Sequence, residues 1–169
     1  MTNGESRFPL TVSLPHLIAD GGDKHVRTLL HNLTTLADKI ALLRKGFSAA
    51  LEISPPQYLV LMHIAQHQGQ TGQTVTEVAN QLGVTLPHVT KETAILVEKG
   101  LIKRSQNPKD GRSVLLVTTP KSDNAIRGLS KHLIKTNDQL FSGLDVQTFR
   151  VLCDGVATVL KNATAERPW

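Results

Sequence analysis

The chain has 169 residues, six of them aromatic, a single cysteine and a net charge of +5. This length suits one compact domain or two small modules sharing a core. One cysteine, Cys153, excludes an intramolecular disulfide, and a reducing compartment suffices. No apolar stretch approaches the roughly 20 residues of a membrane span, and Glu5 and Arg7 interrupt the short apolar pieces where a signal peptide would have its hydrophobic region. A cytoplasmic protein without membrane contact is expected.

Residues 1–22, with Pro9, Pro15, Gly21 and Gly22, read as an extension leading into a helix. Its apolar residues Leu10, Val12, Leu14, Leu17 and Ile18 are available to pack on a second subunit. Val26, Leu29, Leu30, Leu33, Leu36, Ile40, Leu43 and Phe47 then recur at helical spacing and predict a long helix over 24–47. Ser54-Pro55-Pro56 opens a second helix over 54–68, with serine as N-cap and the prolines in the first turn, where amides lack intrahelical partners.

Residues 74–118 carry the densest signal. Thr74 and Glu77 fit a capping box, and Val78, Ala79 and Leu82 share one face of the short helix that follows. Gly83 stands where a helix stops, because a left-handed C-terminal residue is cheap only for glycine. Thr85 is the next N-cap and Pro87 falls in the new first turn. Val89, Thr93 and Leu96 make the core face of this second helix, leaving His88, Thr90 and Lys91 to point outward. Two strand-like runs, Leu101–Ser105 and Ser113–Thr118, flank Asn107-Pro108-Lys109-Asp110-Gly111-Arg112, a loop of turn residues. At its end Arg112 is placed to reach a narrow minor groove, with Asp110 near enough to orient it. Beyond the hairpin, Thr119-Pro120 starts a helix over 120–142 carrying Ile126, Leu129, Leu133, Ile134 and Leu140. Phe149, Leu152, Val156, Val159 and Leu160 mark a last helix over 146–162.

Charge is unevenly placed. From Lys91 to Lys121 there are seven basic and three acidic residues, so this short span holds +4 of the +5. Basic excess on a hairpin is what phosphate neutralisation requires. Residues 85–121 contain no aromatic side chain, so a base-stacking platform for single strands is absent and duplex DNA is the better partner. The terminal helices have apolar faces wider than one small winged module can cover, which predicts burial against a two-fold mate, with an intramolecular bundle as the alternative on pattern alone. The expected fold is mainly α with a small β-hairpin wing: a winged helix-turn-helix at 54–119, a helical dimerisation region at 23–53 and 120–169, and the extension at 1–22.

The helix-turn-helix spacing, Leu96 with Lys99-Gly100-Leu101, and above all Asp110-x-Arg112 in the wing resemble the MarR family of transcriptional regulators. Glu92, at a recognition-helix position usually apolar in that family, is a departure. The resemblance implies a homodimeric repressor bound to a pseudo-palindromic duplex operator. Thr85, Pro87, His88, Thr90 and Lys91 would lie at the major groove, Asp110 and Arg112 at the minor groove, and Lys103, Arg104 and Lys109 on phosphates. It also implies release by a small aromatic or phenolic effector in a cleft near Arg44, Phe47, Tyr58, Met62 and His63. The plain reading of the same residues is that Phe47, Tyr58 and Met62 are core, and that Arg44 is a solvated head on a buried stem.

Two alternatives stand beside this one. His63 and His67 are four residues apart, a spacing that suits a zinc-responsive regulator, but no acidic residue lies between Ser54 and Thr76 to join them. Structural or solvent-facing histidines are expected, with no metal site and no cofactor. A winged-helix module that binds protein instead of DNA would need an acidic or apolar wing. Cys153 has no Lys or Arg in the following turn to activate it and is expected to be a small buried hydrophobe. No nucleophile–base pair, paired carboxylates or phosphate loop suggests an enzyme.

Overall fold

The computed structural model describes residues 9–19, 21–108 and 110–165. Among them the elements run α1 (Lys24–Ala50), α2 (Pro55–His67), β1 (Gln73–Thr74), α3 (Val75–Leu82), α4 (Leu86–Glu98), β2 (Ile102–Gln106), β3 (Val114–Thr118), α5 (Pro120–Phe141) and α6 (Val146–Ala165), with a 3-10 turn at Pro15–Leu17. The fold is mainly helical with a small antiparallel sheet, as expected. The hairpin has a third strand that its length hid. β1 is two residues long, too short for an alternating pattern, and pairs with β3 to give the order β1-β3-β2.

Local chemistry sets the helix starts. Ser54 with Gln57, Thr74 with Glu77 and Thr119 with Ser122 each form a reciprocal capping box. In the second of these, the Glu77 amide donates to Thr74 Oγ1 at 3.2 Å and the Thr74 amide to Glu77 Oε2 at 2.7 Å. These bonds from Thr74 hold the Glu77 carboxyl below the usual range. Gly83 closes α3 at φ +66 in the left-handed region, where its amide and that of Val84 satisfy α3 carbonyls.

The chain divides into two compact units, residues up to 46 and residues from 47 onward. In the first, Asp23 is 2% exposed. Its carboxylate accepts the Thr11 hydroxyl at 2.6 Å, the Thr11 amide at 2.7 Å and Arg27 Nε at 2.8 Å, while Arg27 Nη2 donates to the Pro9 carbonyl. A buried carboxylate is tolerated only when paired and hydrogen-bonded, so these bonds explain why residues 9–11 are held against the start of α1.

The second unit contains the core. Ile53, Tyr58, Val60, Leu61, Ile64, Val78, Ala79, Val89, Leu96, Leu101, Ile102, Leu116 and Leu129 pack into one cluster. α2 supplies its centre, and its C-terminal Gln68 ties the helix to the sheet. Gln68 Nε2 donates to Thr118 Oγ1 at 2.8 Å and Oε1 accepts the Thr118 amide at 2.7 Å. Gly72, at φ +98, lets the chain pass under β3, because a Cβ there would lie 2.7 Å from Val117 Cγ1 and 2.9 Å from the Leu116 carbonyl oxygen.

The terminal helices are different in kind. Every described side chain of α6 is exposed, including Phe149, Leu152, Val156, Val159 and Leu160. Leu29, Leu30, Leu36 and Leu43 of α1 and Ile134 and Leu140 of α5 are exposed too. Cys153 is therefore not buried in the single chain as the sequence reading had it. It occupies the same α6 face as Phe149, Val156 and Leu160, side chains that are all exposed, although Phe149 meets the Phe141 ring edge-on at 5.3 Å. No helix of the described residues is long and apolar enough to cross a membrane.

Candidate nucleic-acid interface

Two features of the second unit face outward together in sequence and chemistry: the first turns of α4 and the β2–β3 hairpin. α4 is seated by Val89, Thr93 and Leu96, all fully buried, which leaves Thr85, Leu86, Pro87, Thr90 and Lys91 exposed and His88 half-buried. Thr85 holds the N-cap position, but its hydroxyl makes no capping bond and is open to an external partner. Thr90 Oγ1 donates to the Leu86 carbonyl at 2.9 Å. Glu92, the departure noted above, is 6% exposed and turned toward the interior side of the helix.

The hairpin pairs Lys103 with Val117 and Arg104 with Leu116. Consecutive strand residues point to opposite faces, so Lys103 and Arg104, both exposed, cannot serve the same phosphate. The turn is held by its own side chains. Asn107 Nδ2 donates to Ser113 Oγ at 2.9 Å, and the Ser113 amide donates to the Asp110 carbonyl at 3.0 Å. Asp110 Oδ1 accepts the Arg112 backbone amide at 3.0 Å. The carboxylate thus shapes the turn through the main chain, and among the described residues it forms no ion pair with the guanidinium, which is the role expected of it from sequence. Arg112 is exposed. Lys109 lies outside the described residues.

Not all of the local positive charge faces a partner. Lys99 Nζ donates to the Glu52 carbonyl at 2.9 Å, and Lys121 Nζ donates to the Lys99 carbonyl at 2.7 Å. Lys121 thus satisfies the C-cap carbonyl of α4, where the helix dipole favours a cation, and Lys99 satisfies a carbonyl between α1 and α2. The sequence count of basic residues overstates what the hairpin presents by these two. Conversely, sequence analysis passed over Leu86, which is 48% exposed at the start of α4. An apolar residue next to an N-cap reads as core until its direction is known.

The residues implicated in an effector cleft fall in both units. Arg44 belongs to the first and is exposed. In the second, Tyr58 is a core residue, Phe47 and Met62 are half-buried against that core, and the Phe47 and Tyr58 rings stack with centroids 6.1 Å apart. His63 Nε2 meets Gln81 Oε1 at 2.7 Å and His67 Nδ1 meets the His63 carbonyl at 2.9 Å, while their rings stack at 4.3 Å. No group of three or more His, Cys, Asp or Glu able to hold a metal is found among the described residues.

The sequence pattern that defines the MarR family matches residues 53–114. An uncharacterized protein of Mycobacterium tuberculosis is 30% identical over 95 residues, which is 56% of this chain and 66% of that protein, just under two thirds of its length. The uncharacterized HTH-type transcriptional regulator YfiV of Bacillus subtilis is 30% identical over 119 residues, 69% of this chain and 72% of YfiV. Among solved structures, a MarR transcriptional regulator of Methanosarcina mazei Go1 matches with TM-score 0.67 at 17% identity, over 82% of this chain and 98% of that one. MepR of S. aureus, solved as a complex with DNA, matches with TM-score 0.68 at 18% identity, over 78% and 93%. At such identities the structural likeness speaks for the fold, and the sequence matches speak for kinship. The chain belongs to the MarR family, whose members are transcriptional regulators and not enzymes.

Proposed function

We propose that this chain is a cytoplasmic homodimer that binds a pseudo-palindromic duplex operator and represses transcription from it. The observation that carries the reading is the pairing of an outward-facing first turn of α4 with an exposed Arg112 in the hydrogen-bonded turn of the hairpin. Thr85, Pro87, His88, Thr90 and Lys91 meet the major groove. Arg112 enters the adjacent minor groove, where a narrow A·T tract concentrates negative potential, with Asp110 shaping its turn. Lys103, Arg104 and Lys109 contact phosphates on either side. Residues 54–119 form the DNA-binding part, and 23–53 with 120–169 join the two protomers. The dimer is supported by the exposed apolar face of α6, because a large exposed apolar patch marks an interaction surface. Two such protomers place their α4 helices about one helical turn apart. A DNA-bound MepR, a relative in fold, is consistent with the same use of the surface.

An effector belongs to this reading. Phe47 and Met62 keep accessible apolar surface beside Tyr58, a wall suited to a small aromatic or phenolic anion, with His63 as a polar contact. Titrating hydroxybenzoates into the protein–DNA complex tests it by the loss of binding.

The deciding experiment is selection from a random duplex pool followed by a salt titration of the recovered sequences. An inverted repeat with half-sites about one turn apart, bound more weakly as salt rises, is the expected result. No enrichment, or binding indifferent to salt, would remove the DNA-binding reading.

A further inference from the structure

The outward face of α4 is notable for what it lacks. From Leu86 to Glu98 the helix contains no Arg, Asn or Gln, which leaves Lys91 as the only side chain there able to make a two-point hydrogen bond to a purine edge. Glu92, an acceptor for cytosine on other helices, is buried here. Thr90 commits its only proton to the Leu86 carbonyl, which leaves it an acceptor alone. His88 is half-buried. Lys91 is the one exposed cation in these turns and can reach guanine O6 and N7, but its ammonium on a flexible stem is a less preorganised reader than a guanidinium.

What the first turn puts forward instead is apolar. Leu86 is 48% exposed and is followed by the exposed ring of Pro87. Leu86 is absent from the core cluster and from the apolar residues packed against it. Its exposure therefore adds little to folding, yet it sits at the helix position that enters a major groove first. The only apolar feature a base pair shows in that groove is the 5-methyl group of thymine.

We infer that Leu86 is a specificity-determining residue that reads thymine methyl groups in the major groove of each operator half-site. The inference rests on the DNA-binding reading above and deepens it: the first turn of α4 selects by hydrophobic contact with thymine, beside any contact that Lys91 makes with guanine. Leu86 gains from DNA what it lacks in the free protein, an apolar surface to cover it. Removing one methyl from such a contact should weaken binding about fourfold, the factor for one buried methyl-sized group.

The test uses a duplex recovered by the selection above. Each thymine is replaced singly by deoxyuridine, which lacks only the methyl, and affinity is measured by fluorescence anisotropy for the wild-type protein, Leu86→Ala and Leu86→Met. The expected result is a preference of about fourfold for thymine at one or two positions per half-site in the wild type. Leu86→Ala should lose that preference and Leu86→Met should keep it. The ratio of ratios isolates the contact from any general change in affinity. Wild-type binding that falls with salt but ignores every methyl would overturn this inference and leave operator binding intact, as would a preference undiminished in Leu86→Ala. Absence of any salt-sensitive DNA binding by the wild type would remove both.

Discussion

Gly72→Ala is the substitution whose consequence follows most directly from the structure. The residue sits at φ +98, and an added Cβ would fall 2.7 Å from Val117 Cγ1, 2.9 Å from the Leu116 carbonyl oxygen and 3.2 Å from Leu115 Cβ. Two separate penalties apply. Holding an L-residue at this positive φ costs about 1–2 kcal/mol, and forcing extra volume into a packed site adds about 1–3 kcal/mol. The second is not easily relieved, since one of the atoms struck is backbone of β3, paired on both edges. The sum is roughly 2–5 kcal/mol. Gly83→Ala is the matched control: its φ is +66, but nothing lies within 4 Å of the added Cβ, so only the strain of about 1–2 kcal/mol remains. Urea unfolding at one fixed protein concentration should place Gly72→Ala below Gly83→Ala by at least about 1 kcal/mol. Because β3 carries the hairpin, surviving Gly72→Ala protein should also bind DNA less well. Equal destabilisation of the two variants, within about 0.5 kcal/mol, would refute the claim that close approach and not backbone strain decides Gly72.

Three further outcomes are expected. Arg112→Ala should weaken operator binding markedly and leave the thermal midpoint nearly unchanged, because the exposed guanidinium has no internal partner among the described residues; a lower midpoint by calorimetry would make Arg112 structural. Asp23 is held far below the ordinary carboxylate range by the Thr11 hydroxyl and amide and then by Arg27. A depressed carboxyl stabilises fully above its unfolded value of about 3.9 and loses that contribution as pH falls below it. Amide-exchange protection at Thr11 should therefore decline below about pH 4 and be absent at neutral pH in Asp23→Ala, and protection that persists in both would sink the anchor. Finally, Cys153 should react readily with a thiol reagent in dilute protein and slowly at concentrations that favour dimers. Equal rates across that range would argue that α6 is not the covered face.

Much of this protein is written locally. Thr74 with Glu77, Gly83, Ser54 with its prolines and Thr119-Pro120 are legible because each cap satisfies amides or carbonyls three or four residues away, so sequence spacing alone specifies the bond. The burial of Val89, Thr93 and Leu96 follows likewise from helical period. The candidate interface was legible as a set of residue types for the same reason, though their directions were not. Tertiary structure decided what depends on partners far along the chain. Gln68 reaches Thr118, 50 residues away, and Lys99 reaches Glu52, 47 residues away, which gives a lysine counted in the local basic excess a structural role. The pairing of β1 with β3, the depth of Glu92, the main-chain role of Asp110 and the exposure of Leu86 belong to the same class. No periodicity encodes them, because they depend on which surfaces remain after helices and sheet have packed, and that outcome is set jointly by residues from the whole unit.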